Sequence, residues 1–96
     1  MSNTYQIFLI SDSTGETLDR IFLSLKAQFK NIDYKVNSYS FTRTENQILK
    51  ILDLATKKQN SIILYTIVDN NLAKFLANTC DKKKIPCFGV LGSLIL

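Results

Sequence analysis

The sequence predicts an α/β domain in three layers, in which a four-stranded parallel sheet is covered by three helices. Two observations carry this prediction. Apolar runs of strand length alternate along the chain with segments whose apolar residues recur every three or four positions. Polar capping residues precede these helical segments, and lysines or polar turns follow them. Strands that alternate with helices form parallel sheets with right-handed crossovers.

Length and composition fit one small domain over residues 1–96, of which 46% are hydrophobic and 21% charged. The net charge is +4, and much of the basic excess lies in Lys57-Lys58 and Lys82-Lys83-Lys84. Both runs fall at predicted helix ends, where cations complement the helix dipole. Arginine is scarce and no aromatic residues are interleaved with the lysines, so the pattern does not predict a nucleic-acid surface.

The cysteine and histidine content limits the chemistry of this sequence. Histidine is absent, which excludes a Cys/His zinc site and a histidine-based catalytic arrangement within these residues, and no metal site is predicted. Cys80 falls on an apolar helix stripe and Cys87 in an apolar strand, so we expect buried free thiols in a reducing compartment. No signal peptide and no apolar run of transmembrane length occur, so we expect a cytoplasmic chain without membrane contact.

The first strand leads into the most polar segment of the chain. Residues 7–10 are apolar and predict a buried strand, and helical spacing then predicts a helix over residues 15–29. Ligands of open α/β sheets bind at the carboxyl ends of the strands, and the first N–H groups of a helix attract anions. We therefore predict a site for an anion or a phosphorylated side chain in the turn of residues 11–17. Its members are Ser11, Asp12, Ser13, Thr14, Gly15, Glu16 and Thr17.

A purely structural interpretation of the same turn stays open. Ser13-x-x-Glu16 matches a capping box, which satisfies two helix N–H groups without any ligand. The turn supplies six polar side chains, however, which is more than a cap needs and favours a binding role. The charge of Asp12 would repel a bare phosphate, so a metal, a donor hydroxyl or a basic partner would have to offset it.

The second strand and second helix follow in order. Residues 34–41 alternate and are rich in strand-forming residues, which predicts a strand nearer the edge of the sheet. Thr44-x-x-Gln47 is a second capping box, and it opens a helix with an apolar stripe. That stripe consists of Ile48, Ile51, Leu52 and Ala55.

Residues 61–68 form the second fully apolar strand, which we expect beside the first at the centre of the sheet. Asp69 or Asn70 can cap the third helix, and Pro86 can precede a last strand over residues 87–91. The predicted inward stripe of the third helix is Leu72, Phe75, Leu76, Thr79 and Cys80. Residues 91–96 resemble a turn and an apolar element that stops early, so the predicted architecture is truncated at its C-terminus.

Three of these segments resemble the pyruvate, phosphate dikinase regulatory protein family, which includes regulators of phosphoenolpyruvate synthase. The most specific segment is FLISDSTGETL, residues 8–18. It is supported by LYTIV, residues 64–68, and by VLG, residues 90–92, which is followed by Leu94-Ile95. The order of elements agrees with the family over all 96 residues. The resemblance implies that this chain corresponds to the N-terminal domain of a longer, two-domain protein.

The resemblance also implies a bifunctional serine/threonine kinase. Members of the family phosphorylate a dikinase threonine with ADP and remove that phosphate in a phosphate-dependent, pyrophosphate-forming reaction, using a P-loop in a later domain. This sequence contains no Gly-Lys-Ser/Thr, so it lacks the lysine and backbone cradle of a P-loop. Gly89 and Ser93 also replace an Asp and a Pro that the family tends to carry. We therefore expect neither a bound cofactor nor activity from this chain alone. Whether the dikinase or the synthase is the target stays open, as do the catalytic residues.

Two other interpretations remain at this point. Ser11-x-Ser13-Thr14-Gly15-x-Thr17 resembles the hydroxyl-rich phosphate loop of flavodoxins, which would make the chain a Rossmann/flavodoxin-like FMN binder. Tyr39 or Tyr65 could then stack on the flavin, although the chain is short, basic and without tryptophan. Alternatively, the chain is a non-catalytic interaction or remnant domain whose apolar C-terminal edge is covered by a separate P-loop chain or a second copy.

Overall fold

The computed structural model describes residues 4–28 and 30–90. Its elements are β1 (Tyr5–Ser11), α1 (Glu16–Lys26), β2 (Tyr34–Tyr39), α2 (Glu45–Thr56), β3 (Ser61–Thr66), α3 (Asn70–Lys83) and β4 (Cys87–Gly89). All strand pairs are parallel, in the order β2-β1-β3-β4. This confirms the predicted α/β fold, with the two apolar strands β1 and β3 at the centre and β2 at an edge.

The two faces of the sheet are covered unequally. Neighbouring residues of β1 point to opposite faces, so Phe8 and Ile10 pack with α2 and α3, while Ile7 and Leu9 pack with α1. Because both faces of β1 are covered, its residues 7–10 are all apolar rather than alternating. On the α1 face the cover is incomplete, and Val36 at the β2 edge and Phe88 in β4 remain 43% and 55% exposed.

The helix stripes and two of the predicted caps are confirmed. The predicted stripe of α2 is buried throughout: Ile48, Ile51, Leu52 and Ala55. Thr44 and Gln47 form the reciprocal capping box, with the Gln47 N–H donating to Thr44 Oγ1 at 3.1 Å and the Thr44 N–H donating to Gln47 Oε1 at 3.0 Å. The carboxylate of Asp69 caps α3 by accepting from the Leu72 N–H at 3.0 Å. Leu76 and Cys80 are the buried members of the α3 stripe.

Several predicted bounds were too generous. β2 ends at Tyr39 rather than at residue 41, because Phe41 has a positive φ of 54° that turns the chain out of the strand. β3 ends at Thr66 rather than at residue 68, because the Val68 N–H donates to a side chain of the first loop instead of to a neighbouring strand. α1 ends at Lys26 and β4 at Gly89. The predicted extensions to Phe29 and Leu91, and the whole of residues 91–96, lie outside the described residues.

The two cysteines are free, as expected, but they differ in burial. Cys80 is fully buried, whereas Cys87 at the start of β4 is only partly buried. A hydrogen bond between the two thiols lowers the pKa of Cys80 and raises the pKa of Cys87, and burial adds to the rise at Cys87.

Among the described residues, no helix has the length and apolarity needed to cross a membrane.

Candidate anion-binding site

The loops that follow β1, β2 and β3 meet at the carboxyl edge of the sheet. Asp12, just after β1, is central to their contact. Its carboxylate Oδ2 accepts from the Val68 N–H at 2.9 Å, and its own N–H donates to the Thr66 carbonyl at 3.3 Å. The Asp12 side chain therefore ties the first loop to the third, and it acts as a hydrogen-bond acceptor within the protein.

Four consecutive carbonyl groups of the first loop accept hydrogen bonds from residues 40–43. The pairs are Ser11 O with Thr42 N at 2.8 Å, Asp12 O with Arg43 Nε at 3.0 Å, Ser13 O with Phe41 N at 2.9 Å and Thr14 O with Ser40 Oγ at 2.9 Å. Each carbonyl is thereby engaged within the protein.

Gly15 makes the connection from this loop into α1. Its φ of +89° lies in the left-handed region, which L-residues with a side chain rarely adopt. A Cβ atom at this position would lie 3.4 Å from Ser40 Oγ and 3.9 Å from Ser11 Cβ. The positive φ therefore favours glycine here, while both distances are ordinary van der Waals contacts that would admit a Cβ atom.

The predicted Ser13-x-x-Glu16 capping box is wrong. Gly15 is the N-cap residue of α1, and it has no side chain that could cap this helix. Ser13 lies too early in the chain, and its hydroxyl lies 3.3 Å from Ser11 Oγ instead. The Glu16 N–H has only a long 3.4 Å contact with Thr14 Oγ1. The positive φ of Gly15 separates the serine from the helix, which the residue spacing alone does not reveal.

The first turn of α1 contains backbone N–H groups that the helix itself does not use, together with the carboxylates of Glu16 and Asp19. The first bond from the helix back to its N-cap runs from the Asp19 N–H to the Gly15 carbonyl at 2.8 Å. The N–H groups of Glu16, Thr17 and Leu18 precede it and have no partner within the helix. Together they carry the positive end of the helix dipole.

The predicted site residues separate into two groups. Ser13, Thr14, Glu16 and Thr17 are exposed, and Asp12 and Gly15 are half-buried. Ser11 is 2% exposed, and its hydroxyl accepts a hydrogen bond from the Ser13 N–H at 3.1 Å. Ser11 therefore stabilises the turn from its buried side. The cleft beside Thr14 and Gly15 encloses only about 20 Å³, so an anion would bind on the surface of the turn.

Arg43 was missed by the sequence analysis and is a basic side chain that contacts the turn. Its Nε donates to the Asp12 carbonyl, and its guanidinium carbon lies 5.2 Å from the centre of the exposed Phe41 ring. The sequence could have indicated Arg43 by its position just after β2, because the carboxyl ends of neighbouring parallel strands meet at one edge of the sheet. Using this position would have required knowing that β2 pairs with β1.

The two tyrosines that an FMN site would use are already packed within the protein. The ring of Tyr39 is stacked on Phe8, with 6.0 Å between centroids and 4° between planes. The ring of Tyr65 lies so close to Gly89 that a Cβ there would be 2.8 Å from its Cζ. Burial raises the pKa of Tyr65, and the neighbouring Cys87 and Cys80 add to the rise.

Residues 4–28 and 30–90 contain no cluster of three or more side chains suited to a metal ion.

Two variants distinguish a helix cap from a turn residue. Thr44→Ala removes the acceptor of the Gln47 N–H, so we expect it to lower the free energy of unfolding by about 1 kcal/mol. Ser13→Ala removes no cap of α1, so its stability should stay within about 0.5 kcal/mol of the parent. Urea denaturation followed by circular dichroism measures both. An equal loss in the two variants would show that Ser13 does cap α1.

Comparison with known proteins identifies related sequences along almost the whole chain. The family model described as kinase/pyrophosphorylase matches residues 7–96. A Pelagibacter ubique protein named for regulation of pyruvate, phosphate dikinase is 75% identical over 96 residues, which are 100% of this chain and 35% of the relative. Proteins of the same name from Geotalea uraniireducens and Agrobacterium fabrum are 39% and 40% identical over 94% and 95% of the chain. The alignments cover 33% of each of these two relatives, so this chain spans about a third of their length.

Proposed function

The chain belongs to the kinase/pyrophosphorylase family, and from this premise we propose that it is the N-terminal part of a regulator of pyruvate, phosphate dikinase. In this proposal the 11–17 turn holds the phosphorylated side chain of the target protein. The phosphorylation and dephosphorylation steps require a nucleotide-binding part that this sequence does not contain. The chain alone would therefore bind its target without modifying it.

One observation carries the proposal for the turn. Residues 40–43 engage four consecutive carbonyl groups just before the N-terminus of α1, and Arg43 adds a positive charge beside Asp12 at the start of the turn. Helix N-termini bind phosphate through their free N–H groups, and arginine strengthens such binding by charge-assisted hydrogen bonds. The N–H donors and the nearby positive charge support a binding role for this turn.

The lack of a P-loop motif in this chain supports a separation of the nucleotide site from the site that binds the target protein. ADP and inorganic phosphate are proposed to bind where a P-loop is present, since no Gly-Lys-Ser/Thr occurs in this chain. Relatives are about three times as long as the chain and have room for such a part. We propose that it lies in the same polypeptide or in a separate chain. Phosphoenolpyruvate synthase is the alternative target, and no feature of the turn distinguishes it from the dikinase.

A phosphopeptide titration tests the proposed target chemistry. A peptide with a central phosphothreonine should bind the chain at least about tenfold more tightly than the unphosphorylated peptide, because phosphate contacts are charge-assisted. Arg43→Gln should weaken the phosphopeptide several-fold and leave the weak binding of the plain peptide unchanged. Lys50→Gln, which removes the same charge from the exposed side of α2, is the matched control. Equal affinities for both peptides would contradict the proposal.

A further inference from the structure

A second cavity lies at the amino edge of the sheet, at the opposite end of the strands from the 11–17 turn. It has a volume of about 390 Å³ and lies between the ends of α2 and α3 and the starts of β1 and β3. Three lysines line it, namely Lys58, Lys83 and Lys84. Ligand pockets in proteins start at about 300 Å³, so this cavity is large enough for a small metabolite.

The three lysines have no acidic partners in the described part of the chain. The one ion pair found there joins Lys57 Nζ to Asp53 Oδ2 at 3.4 Å, and Lys57 does not line the cavity. Three positively charged side chains on one concave surface repel one another, although all three are exposed and solvent screens part of that repulsion. A bound anion would remove that repulsion.

The charges of these lysines complement the dipoles of α2 and α3, but their side chains do not cap the helix carbonyls by hydrogen bonds. The last carbonyls of α2 already accept hydrogen bonds: Ala55 O from Ser61 Oγ at 2.8 Å and from Lys58 N at 3.2 Å. At the end of α3, Cys80 O accepts from Ile85 N at 2.9 Å and Asp81 O from Lys84 N at 3.1 Å. Backbone N–H groups and one hydroxyl thus satisfy these carbonyls. No lysine side chain among the described residues donates to them.

Beside the lysines, the cavity wall has an apolar part that includes Ile62, Ile85 and Pro86, and a polar part formed by Thr56, Asn60 and Ser61. We propose that this cavity binds a small organic anion that carries at least two negative charges and an apolar group, as a phosphate monoester does. The ammonium groups bind the charged end, and the apolar wall contacts the organic part. The site is separate from the 11–17 turn and does not depend on the function proposed for that turn.

Phenyl phosphate is a suitable probe, because it combines a dianionic phosphate with an apolar ring. Calorimetric titration of the chain at low salt should show saturable binding of phenyl phosphate that is tighter than that of inorganic phosphate. The double variant Lys58→Gln/Lys83→Gln should weaken phenyl phosphate by about tenfold or more, since it removes two charge-assisted contacts. Both lysines are exposed, so the fold should be retained.

The matched control is Lys57→Gln/Lys82→Gln, which removes the same charge from the same two lysine runs but from positions outside the cavity. This variant should bind phenyl phosphate within about twofold of the parent, because only general electrostatic attraction is lost. Equal losses in the two lysine variants, or no saturable binding to the parent, would overturn the proposal.

Discussion

Replacing Phe8 with alanine is expected to lower the free energy of unfolding by about 3–5 kcal/mol. Phe8 lies in the central strand β1, has no exposed surface and stacks on Tyr39. Its removal leaves a cavity beneath α2 and α3 that the surrounding side chains cannot fill without leaving their rotamers. Small domains have a total stability of about 5–15 kcal/mol, so the variant should lose a large part of it.

Phe88→Ala is the matched control for this prediction, because it deletes the same ring from a strand of the same sheet. Phe88 is 55% exposed on the incompletely covered face, so its truncation should cost about 1 kcal/mol or less. Urea denaturation followed by circular dichroism measures both free energies. If the two variants were equally destabilised, the central position of β1 in the core would be wrong.

Gly15→Val is expected to have the largest effect on anion binding. A β-branched residue at a φ of +89° costs about 1–3 kcal/mol, and its Cβ meets Ser40 Oγ at 3.4 Å. The added side chain also covers the backbone that an anion must approach at the start of α1. We therefore expect lower thermal stability and a loss of inorganic phosphate affinity by about tenfold or more.

Gly15→Asn separates the two effects of this substitution. Asparagine tolerates the left-handed region better than other residues with side chains, so most of the stability should be retained. The side chain still narrows the approach to the helix N-terminus, so phosphate affinity should fall between the values of the parent and the valine variant. A valine variant that lost stability but kept the parent affinity would show that the turn is only a structural connection.

The fold could be predicted from the sequence because its signals are local. The apolar runs of β1 and β3 indicate burial on both faces, and this places them at the centre of the sheet. The stripe from Ile48 to Ala55 and the Thr44–Gln47 box likewise depend on residues within a few positions of one another. Patterns of this kind need no knowledge of which strands become neighbours.

The geometry of the candidate site could not be predicted, because it depends on contacts between distant segments. The contact of Arg43 with Asp12 exists only because β2 pairs with β1. The left-handed conformation of Gly15 moves the N-cap away from Ser13, and no spacing rule contains that information. The burial of Ser11 likewise follows from its position at the end of a central strand.

The central claim is that the 11–17 turn binds an anion, and a phosphate titration followed by backbone amide NMR shifts tests it most directly. We expect saturable shifts of the amides of residues 13–18 and of Arg43 Nε–H, which disappear in Gly15→Val. Shifts confined to the amides around Asn60, Ser61 and Lys84 would place the anion only in the amino-edge cavity. That result, or the absence of any saturable shift in residues 13–18 of the parent, would contradict the claim.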